Sequence, residues 1–80
     1  MTYTDLQIEL LEIGLSIKDL ANLLGMNPNS ITNYKRTKVI PLNLAITISL
    51  ISYLKKTGIT PENIINEIKK KHAADLIENQ

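Results

Sequence analysis

Apolar residues recur along the chain at intervals of three and four positions, the spacing that places side chains on one face of an α-helix. Glycines, prolines and N-capping residues divide the pattern into five blocks. The blocks run from about Thr4 to Ile13 before Gly14, from Ser16 to Gly25, from Asn27-Pro28 onward, from Pro41 to Lys56, and from Thr60-Pro61 onward. The pattern therefore predicts an all-α chain of five helices.

The fourth block fits two kinds of element, because residues 46–50 also alternate as a half-buried strand does. We favour a helix because one apolar stripe continues at helical spacing and no partner strand is evident. That stripe consists of Leu42, Ile46, Leu50, Tyr53 and Leu54. A second stripe on the same block implies burial on two sides, and we expect it to be surplus to the monomer's own core; it consists of Leu44, Ile48 and Ile51.

The composition is that of one small globular domain, spanning residues 1–80, with 44% hydrophobic and 21% charged residues. The absence of cysteine excludes a disulfide framework and a thiolate zinc site, and fits a reducing compartment. The longest uncharged run, Val39 to Leu54, is shorter than the roughly 20 apolar residues that span a membrane. The N-terminus has no basic region of the signal-peptide kind. We therefore expect a cytoplasmic protein with no membrane partner.

Charge is distributed unevenly along the chain. Residues 1–19 carry a net charge of −3 and residues 62–80 a net charge of −1, whereas residues 20–61 carry +5 and contain no acid. Contacts to phosphate require local rather than global positive charge, so the middle of the chain predicts a face that binds polyanions. A solvated basic surface is the alternative explanation.

The second and third blocks are joined by only Gly25-Met26-Asn27, which is short enough to force a sharp crossing of two helices. In this setting Ala21 is small enough for a close crossing, Gly25 supplies a positive φ, and Ile31 packs between the helices. The residues in this register are Gly14-Leu15-Ser16, Leu20-Ala21, Leu24-Gly25-Met26-Asn27, Ser30-Ile31, Tyr34, Lys38 and Pro41. Together they resemble the lambda-repressor-like (Xre/Cro-type) family of helix-turn-helix DNA-binding proteins.

The resemblance covers Leu6 to about Lys56 and implies a compact five-helix domain whose helix-turn-helix, residues 16–37, is formed by helices 2 and 3. The string from Ile31 to Arg36, followed by Ile40-Pro41, also resembles small phage regulators of lysogeny. Two positions depart from the family pattern. Ile17 stands where a polar residue commonly meets a phosphate, and Thr37 stands where many members have glycine.

The resemblance makes the third block the recognition helix, with Pro28 and four base-contacting candidates on its outward face. The four candidates are Asn29, Thr32, Asn33 and Arg36. Asparagine amides pair with adenine, threonine contacts a thymine methyl or accepts a hydrogen bond, and arginine binds guanine or phosphate. A solvated polar face is the alternative explanation for Asn29 and Asn33.

Phosphate contacts are expected from a second group of residues beside these, namely Asn27, Ser30, Lys35 and Lys38. Backbone N–H groups at the Asn27 end of the block belong to the same expectation. Simple N-capping is the alternative role of Asn27, and we favour it over a base contact.

We expect a homodimer, with a C-terminal helix over residues 60–78 as the dimerisation element. The interface candidates are Ile48, Ile51, Ile64, Ile65, Ile68 and Leu76. A two-fold dimer places two recognition helices one DNA turn, about 34 Å, apart. The alternative is that the fifth block folds back onto its own monomer.

Nothing in the sequence indicates catalysis. His72 is the one histidine and has neither a second ligand at metal spacing nor a recognisable nucleophile, and there is no glycine-rich phosphate loop. We therefore expect no enzyme, no cofactor, no metal and no small-molecule ligand.

The sequence accordingly predicts a sequence-specific transcriptional regulator, of repressor type, that binds a palindromic operator in double-stranded DNA. The alternative is the same scaffold reused as a protein-binding inhibitor or antirepressor. Ile17 and the absence of basic residues from the first block favour that alternative.

Overall fold

The chain forms helices throughout the part that the computed structural model describes, residues 1–73. The six helical segments are α1 (Tyr3–Ile13), α2 (Ile17–Leu24), α3 (Pro28–Thr32), α4 (Tyr34–Thr37), α5 (Leu42–Lys56) and α6 (Pro61–Lys71). They confirm the all-α prediction and establish the fourth block as a helix. Within these residues no helix is long and apolar enough to cross a membrane.

Local chemistry fixes the ends of α1 and α2. Thr2 and Ser16 each form a capping box, in which the hydroxyl oxygen accepts from the backbone N–H three residues later and the acid there accepts in return, all at 3.0 Å. Gly14 and Gly25 end the two helices in the left-handed conformation, with φ of 73° and 69°. Both glycine stops were predicted from the sequence, and so was the box at Ser16.

The third block was expected to be one continuous helix. It forms instead the two short segments α3 and α4. Asn33, between them, keeps a right-handed helical backbone with φ −62° and ψ −23°. The hydrogen-bond pattern changes there, because the Asn33 N–H bonds the Asn29 carbonyl at 3.0 Å while the Arg36 N–H bonds the Asn33 carbonyl at 3.2 Å. The turn at the joint is therefore tighter, and α4 ends at Lys38 with φ 63°.

One aliphatic core joins α1, α2, α3 and α5. Its fully buried large members include Leu6 of α1, Leu20 of α2, Ile31 of α3 and Ile48 of α5. Tyr34 is partly buried and packs against the same cluster. Burial of this apolar surface supplies the main driving force for folding.

The apolar stripe of α5 that was expected to be surplus to the core is the one that lies in the core. Ile48 and Ile51 are buried in the monomer's own core, so they cannot contact a second copy, and their assignment to a dimer interface is wrong. The stripe that includes Leu42 and Leu50 lies on the surface instead. The core side also carries Ala45 and Ser52, whose short side chains let α1 approach closely.

The fifth block folds partly back onto the monomer. Pro61 is buried, and Ile65 packs against the core, whereas Ile64 and Ile68 remain exposed. The remaining interface candidate, Leu76, lies outside the described residues.

A short β-type contact, which the sequence did not predict, ties the N-terminus to the loop before α5. Thr2 forms an isolated antiparallel bridge with Val39. The Tyr3 N–H bonds the Lys38 carbonyl at 3.1 Å, and the Ile40 N–H bonds the Met1 carbonyl at 2.9 Å. The start of α1 is thereby fixed beside the end of α4.

Candidate nucleic-acid interface

The turn between α2 and α3 has the compact geometry that its sequence predicts. The Met26 N–H bonds the Ala21 carbonyl at 2.8 Å, which closes the end of α2 around Gly25. Asn27 then caps α3, because its side-chain oxygen accepts from the Asn29 N–H at 2.9 Å. The N-capping role favoured for Asn27 is confirmed.

The inner side of this turn is closed by apolar contact. Ala21 and Ile31 are both fully buried, and α2 and α3 are in direct contact. A small residue on α2 lets the backbones approach, and the branched side chain of Ile31 fills the space between them. The orientation of α3 is therefore determined by packing and not by the turn alone.

The outer side of α3 and α4 is polar. Asn29, Asn33 and Arg36 are exposed, as the helical spacing predicted, and Ser30 is exposed beside them. Thr32 is only partly exposed, and its hydroxyl donates to the Asn29 carbonyl at 3.3 Å. The methyl group of Thr32 and the acceptor lone pairs of its hydroxyl oxygen remain able to contact a ligand.

Two of the backbone N–H groups at the start of α3, those of Asn29 and Ser30, already have acceptors within the chain. Asn27 accepts twice, from the Asn29 N–H through its side chain and from the Ser30 N–H through its carbonyl at 2.9 Å. Pro28 has no N–H to offer. Backbone contacts to an anion by the Asn29 and Ser30 N–H groups would therefore compete with these hydrogen bonds.

Three basic side chains surround the polar face. Lys35 and Arg36 lie on α4 and Lys38 caps it, and all three are exposed. Within residues 1–73, none of them forms an ion pair. Their charges are therefore available to an external anion.

The N-terminal turn of α1 lies next to two of these lysines. A surface cleft of about 500 Å³ is lined by Thr2, Tyr3, Thr4, Gln7, Lys35 and Lys38. Thr4 and Gln7 were not singled out from the sequence, because the bridge between Thr2 and Val39 that brings them here joins distant parts of the chain. The capping box at Thr2 predicts where α1 starts, but it does not predict which part of the chain lies beside that start.

The acid-free middle of the chain does not form one basic face. Lys56, at the far end of α5, pairs with Glu12 at 3.0 Å and with Glu9 at 3.4 Å. Hydrogen bonding to Glu12 and then to Glu9 raises the pKa of the Lys56 ammonium above its ordinary value. A helix of 15 residues is about 22 Å long, so Lys55 and Lys56 lie well away from the lysines that flank the start of α5. Within the acid-free stretch, the basic residues without an ion pair that lie together are Lys35, Arg36 and Lys38, while Lys55 lies apart from them.

No protein-family model, curated protein or solved structure matches this chain.

Proposed function

We propose that the chain is a sequence-specific DNA-binding transcriptional regulator of repressor type, acting as a homodimer on a palindromic operator. In this proposal α2 is the first helix of a helix-turn-helix, and α3 with α4 forms the recognition helix, as in the lambda-repressor-like family. The chemistry is binding alone, without catalysis or a cofactor, and its place is the cytoplasm.

One observation carries the proposal: the segment formed by α3 and α4 buries Ile31 against α2 and presents Asn29, Asn33 and Arg36 to solvent. A recognition helix requires both a rigid attachment and a polar outer face of about the width of the major groove. The stretch from Leu20 to Pro61, which contains this face, has basic residues and no acidic residue.

The spacing of the two asparagines suits neighbouring base pairs. Four residues along a helix correspond to a rise of about 6 Å, and stacked base pairs are about 3.4 Å apart. Asn29 and Asn33 therefore reach positions one or two base pairs apart. Each amide can accept from and donate to an adenine edge.

Arg36, Lys35 and Lys38 supply the part of the binding that does not depend on sequence. All three lie at the end of α4, and Lys35 and Lys38 also line the cleft beside the first turn of α1. Phosphate contacts at this end set the register of the recognition helix in the groove. Ser30, exposed on α3, is the remaining phosphate candidate.

A protein partner for the recognition helix is the second candidate function, favoured by the outer side of α1. That side carries the exposed apolar residues Ile8 and Leu11 and no basic residue. In an inhibitor or antirepressor, these residues and α3 would contact another protein.

Selection of binding sites from random duplexes by the purified full-length chain tests the proposal. We expect a palindromic consensus with one block of specified bases per half-site. When the selection is repeated with Asn33→Ala, one base position in each half-site should lose its preference. Asn63→Ala is the matched control, because Asn63 is an exposed asparagine on α6, and it should select the parent's consensus. The absence of any consensus, with weak binding that salt does not alter, would favour the protein-binding alternative.

A further inference from the structure

The solvent side of α5 is a continuous apolar stripe. Leu42 is 73% exposed, Ile46 50%, Leu50 59% and Tyr53 67%. Their spacing of four, four and three places them on one side of the helix, and we call these four residues the outer α5 face. The chain carries no charge from Val39 to Leu54.

The neighbouring helix α1 runs beside α5 in the same direction. The Ser52 hydroxyl donates to the Glu9 carboxylate, and one turn further along both helices Lys56 pairs with Glu12 at 3.0 Å. Because the two contacts occur in the same order on both helices, α1 and α5 are parallel at this end.

This arrangement extends the apolar surface onto α1. Ile8 directly precedes Glu9 on α1, and Tyr53 directly follows Ser52 on α5, so on two parallel helices both residues lie on the same side of the contact between Ser52 and Glu9. Ile8 is 52% exposed. The outer α5 face and Ile8 therefore form one surface that crosses two parallel helices.

The area of this surface fits a small specific interface. A large aliphatic side chain contributes roughly 60 to 120 Å² of apolar surface. The exposed parts of the five side chains then amount to roughly 300 Å² per copy on the same scale. Two copies offer about 600 Å², and since about 60% of an interface is apolar, the whole contact approaches the roughly 1,000 Å² of a specific interface.

The pattern of the outer α5 face suits a copy of itself. Across a two-fold axis a surface meets its own residues in reverse order, and spacings of four, four and three read almost identically in both directions. In an antiparallel pair of α5 helices, Leu42 lies opposite Tyr53 of the other copy, and Ile46 lies opposite Leu50. Because the stripe is uncharged, no like charges are brought together.

We infer that the outer α5 face binds a second copy of this chain as an antiparallel helix pair. This inference rests on the proposed function, because a palindromic operator with two half-sites requires two copies of the chain. The association of the two copies itself involves no DNA. It replaces the expectation that α6 forms the interface. The exposed Ile68 of α6 is followed by Lys69, Lys70 and Lys71. A two-fold contact through α6 would bring these lysines close to the same lysines of the second copy, and like charges repel.

Sedimentation equilibrium of the full chain without DNA tests the inference. We expect the 9.0 kDa chain to associate to twice that mass at micromolar concentration. Ile46→Glu should raise the dissociation constant at least tenfold while circular dichroism retains the helical signal. Ile68→Glu is the matched control, since Ile68 is 52% exposed and also lies on a helix, and it should dimerise as the parent does.

A second measurement remains informative even if Ile46→Glu fails to fold. The chain has no cysteine, so Leu50→Cys introduces a single thiol close to the expected two-fold axis, and a short bismaleimide should cross-link it efficiently. Ile68→Cys should remain uncross-linked.

Three outcomes would overturn the inference. They are a parent chain that sediments as a monomer, a dimer that survives Ile46→Glu, and a dimer that Ile68→Glu disrupts. Operator binding by a chain that remains monomeric would leave sequence-specific DNA binding standing and remove the homodimer together with this interface. A dimer of the expected kind that binds no duplex would do the reverse.

Discussion

Asn33 lies at the point where α3 passes into α4. From that position its backbone joins the two segments and its side chain extends into solvent. Its backbone is helical while the hydrogen-bond register changes around it, and its side chain is exposed on the polar side. The proposed function makes Asn33 a base contact, and its position is held by Ile31, which lies two positions earlier in the core. Its amide can therefore be removed without disturbing the packing beneath it.

For Asn33→Ala we expect a loss of about 1 to 3 kcal/mol on the preferred duplex and a relaxed preference at one base pair. Competition binding against duplexes varied at single positions measures both effects. Equal affinity of the variant and the parent for every duplex would remove Asn33 from the contact set.

If α3 and α4 form the proposed recognition helix, the lysines beside it should contribute to DNA binding without regard to base sequence. Lys35→Ala and Lys38→Ala should weaken binding to all duplexes about equally, and each should reduce the log–log salt slope by about 1. Lys55→Ala is the control, because Lys55 is exposed at the far end of α5. A variant that changed the preferred sequence but not the salt slope would contradict the assignment to phosphate.

At the scale of elements, the connection between α2 and α3 depends on backbone conformation at Gly25. Its φ is 69°, and a Cβ built there meets no atom within 4 Å. The cost of a substitution is therefore conformational and not steric contact with neighbours. Gly25→Val should lower the free energy of unfolding by about 1 to 2 kcal/mol or more, since valine is branched at Cβ.

Gly25→Asn is the matched variant, because asparagine tolerates the left-handed region better than valine does. It should retain most of the parent's stability in urea unfolding. Equal losses for the two variants would mean that the conformation of the turn is not what Gly25 provides. Ala21→Leu, at the crossing itself, should cost about 1 to 3 kcal/mol by overpacking.

The contact between α1 and α5 contains a carboxylate whose ionisation favours the folded state. The Ser52 hydroxyl, followed by Lys56, holds the pKa of Glu9 below its ordinary value. A lowered folded-state pKa stabilises the fold above the unfolded-state pKa of about 4.3, and this stabilisation is lost as the pH falls through the folded-state pKa. The melting temperature should therefore fall below about pH 4.5.

Ser52→Ala should lower the melting temperature at pH 7 and flatten part of this acid dependence. Ser49→Ala is its control, because the Ser49 hydroxyl bonds the Ala45 carbonyl within α5 and meets no acid. Identical pH profiles for Ser52→Ala and the parent would contradict the role of Ser52 at Glu9.

At the scale of the whole molecule, local rules predicted some features and could not predict others. The helix ends at Gly14, Gly25 and Asn27 were predictable because caps depend on residues a few positions apart. The two faces of α5 were not, because both are apolar and only the short side chains of Ala45 and Ser52 indicate which one faces α1.

Contacts between distant residues were beyond the sequence pattern. The pairing of Lys56 with Glu9 and Glu12 removes one cation from the acid-free middle. The bridge between Thr2 and Val39 adds the first turn of α1 to the lysine cleft. Each involves residues more than thirty positions apart, which periodicity does not relate to one another.

The salt dependence of binding to a random-sequence duplex tests the central proposal most directly. Each copy offers Lys35, Arg36 and Lys38, and every neutralised phosphate contributes about −0.9 to the slope of log affinity against log salt. Fluorescence anisotropy with a labelled duplex should give a slope of about −3 for one bound copy and about −5 for a dimer. A slope near zero, or no binding in dilute salt, would contradict the account and assign the recognition helix to a protein partner.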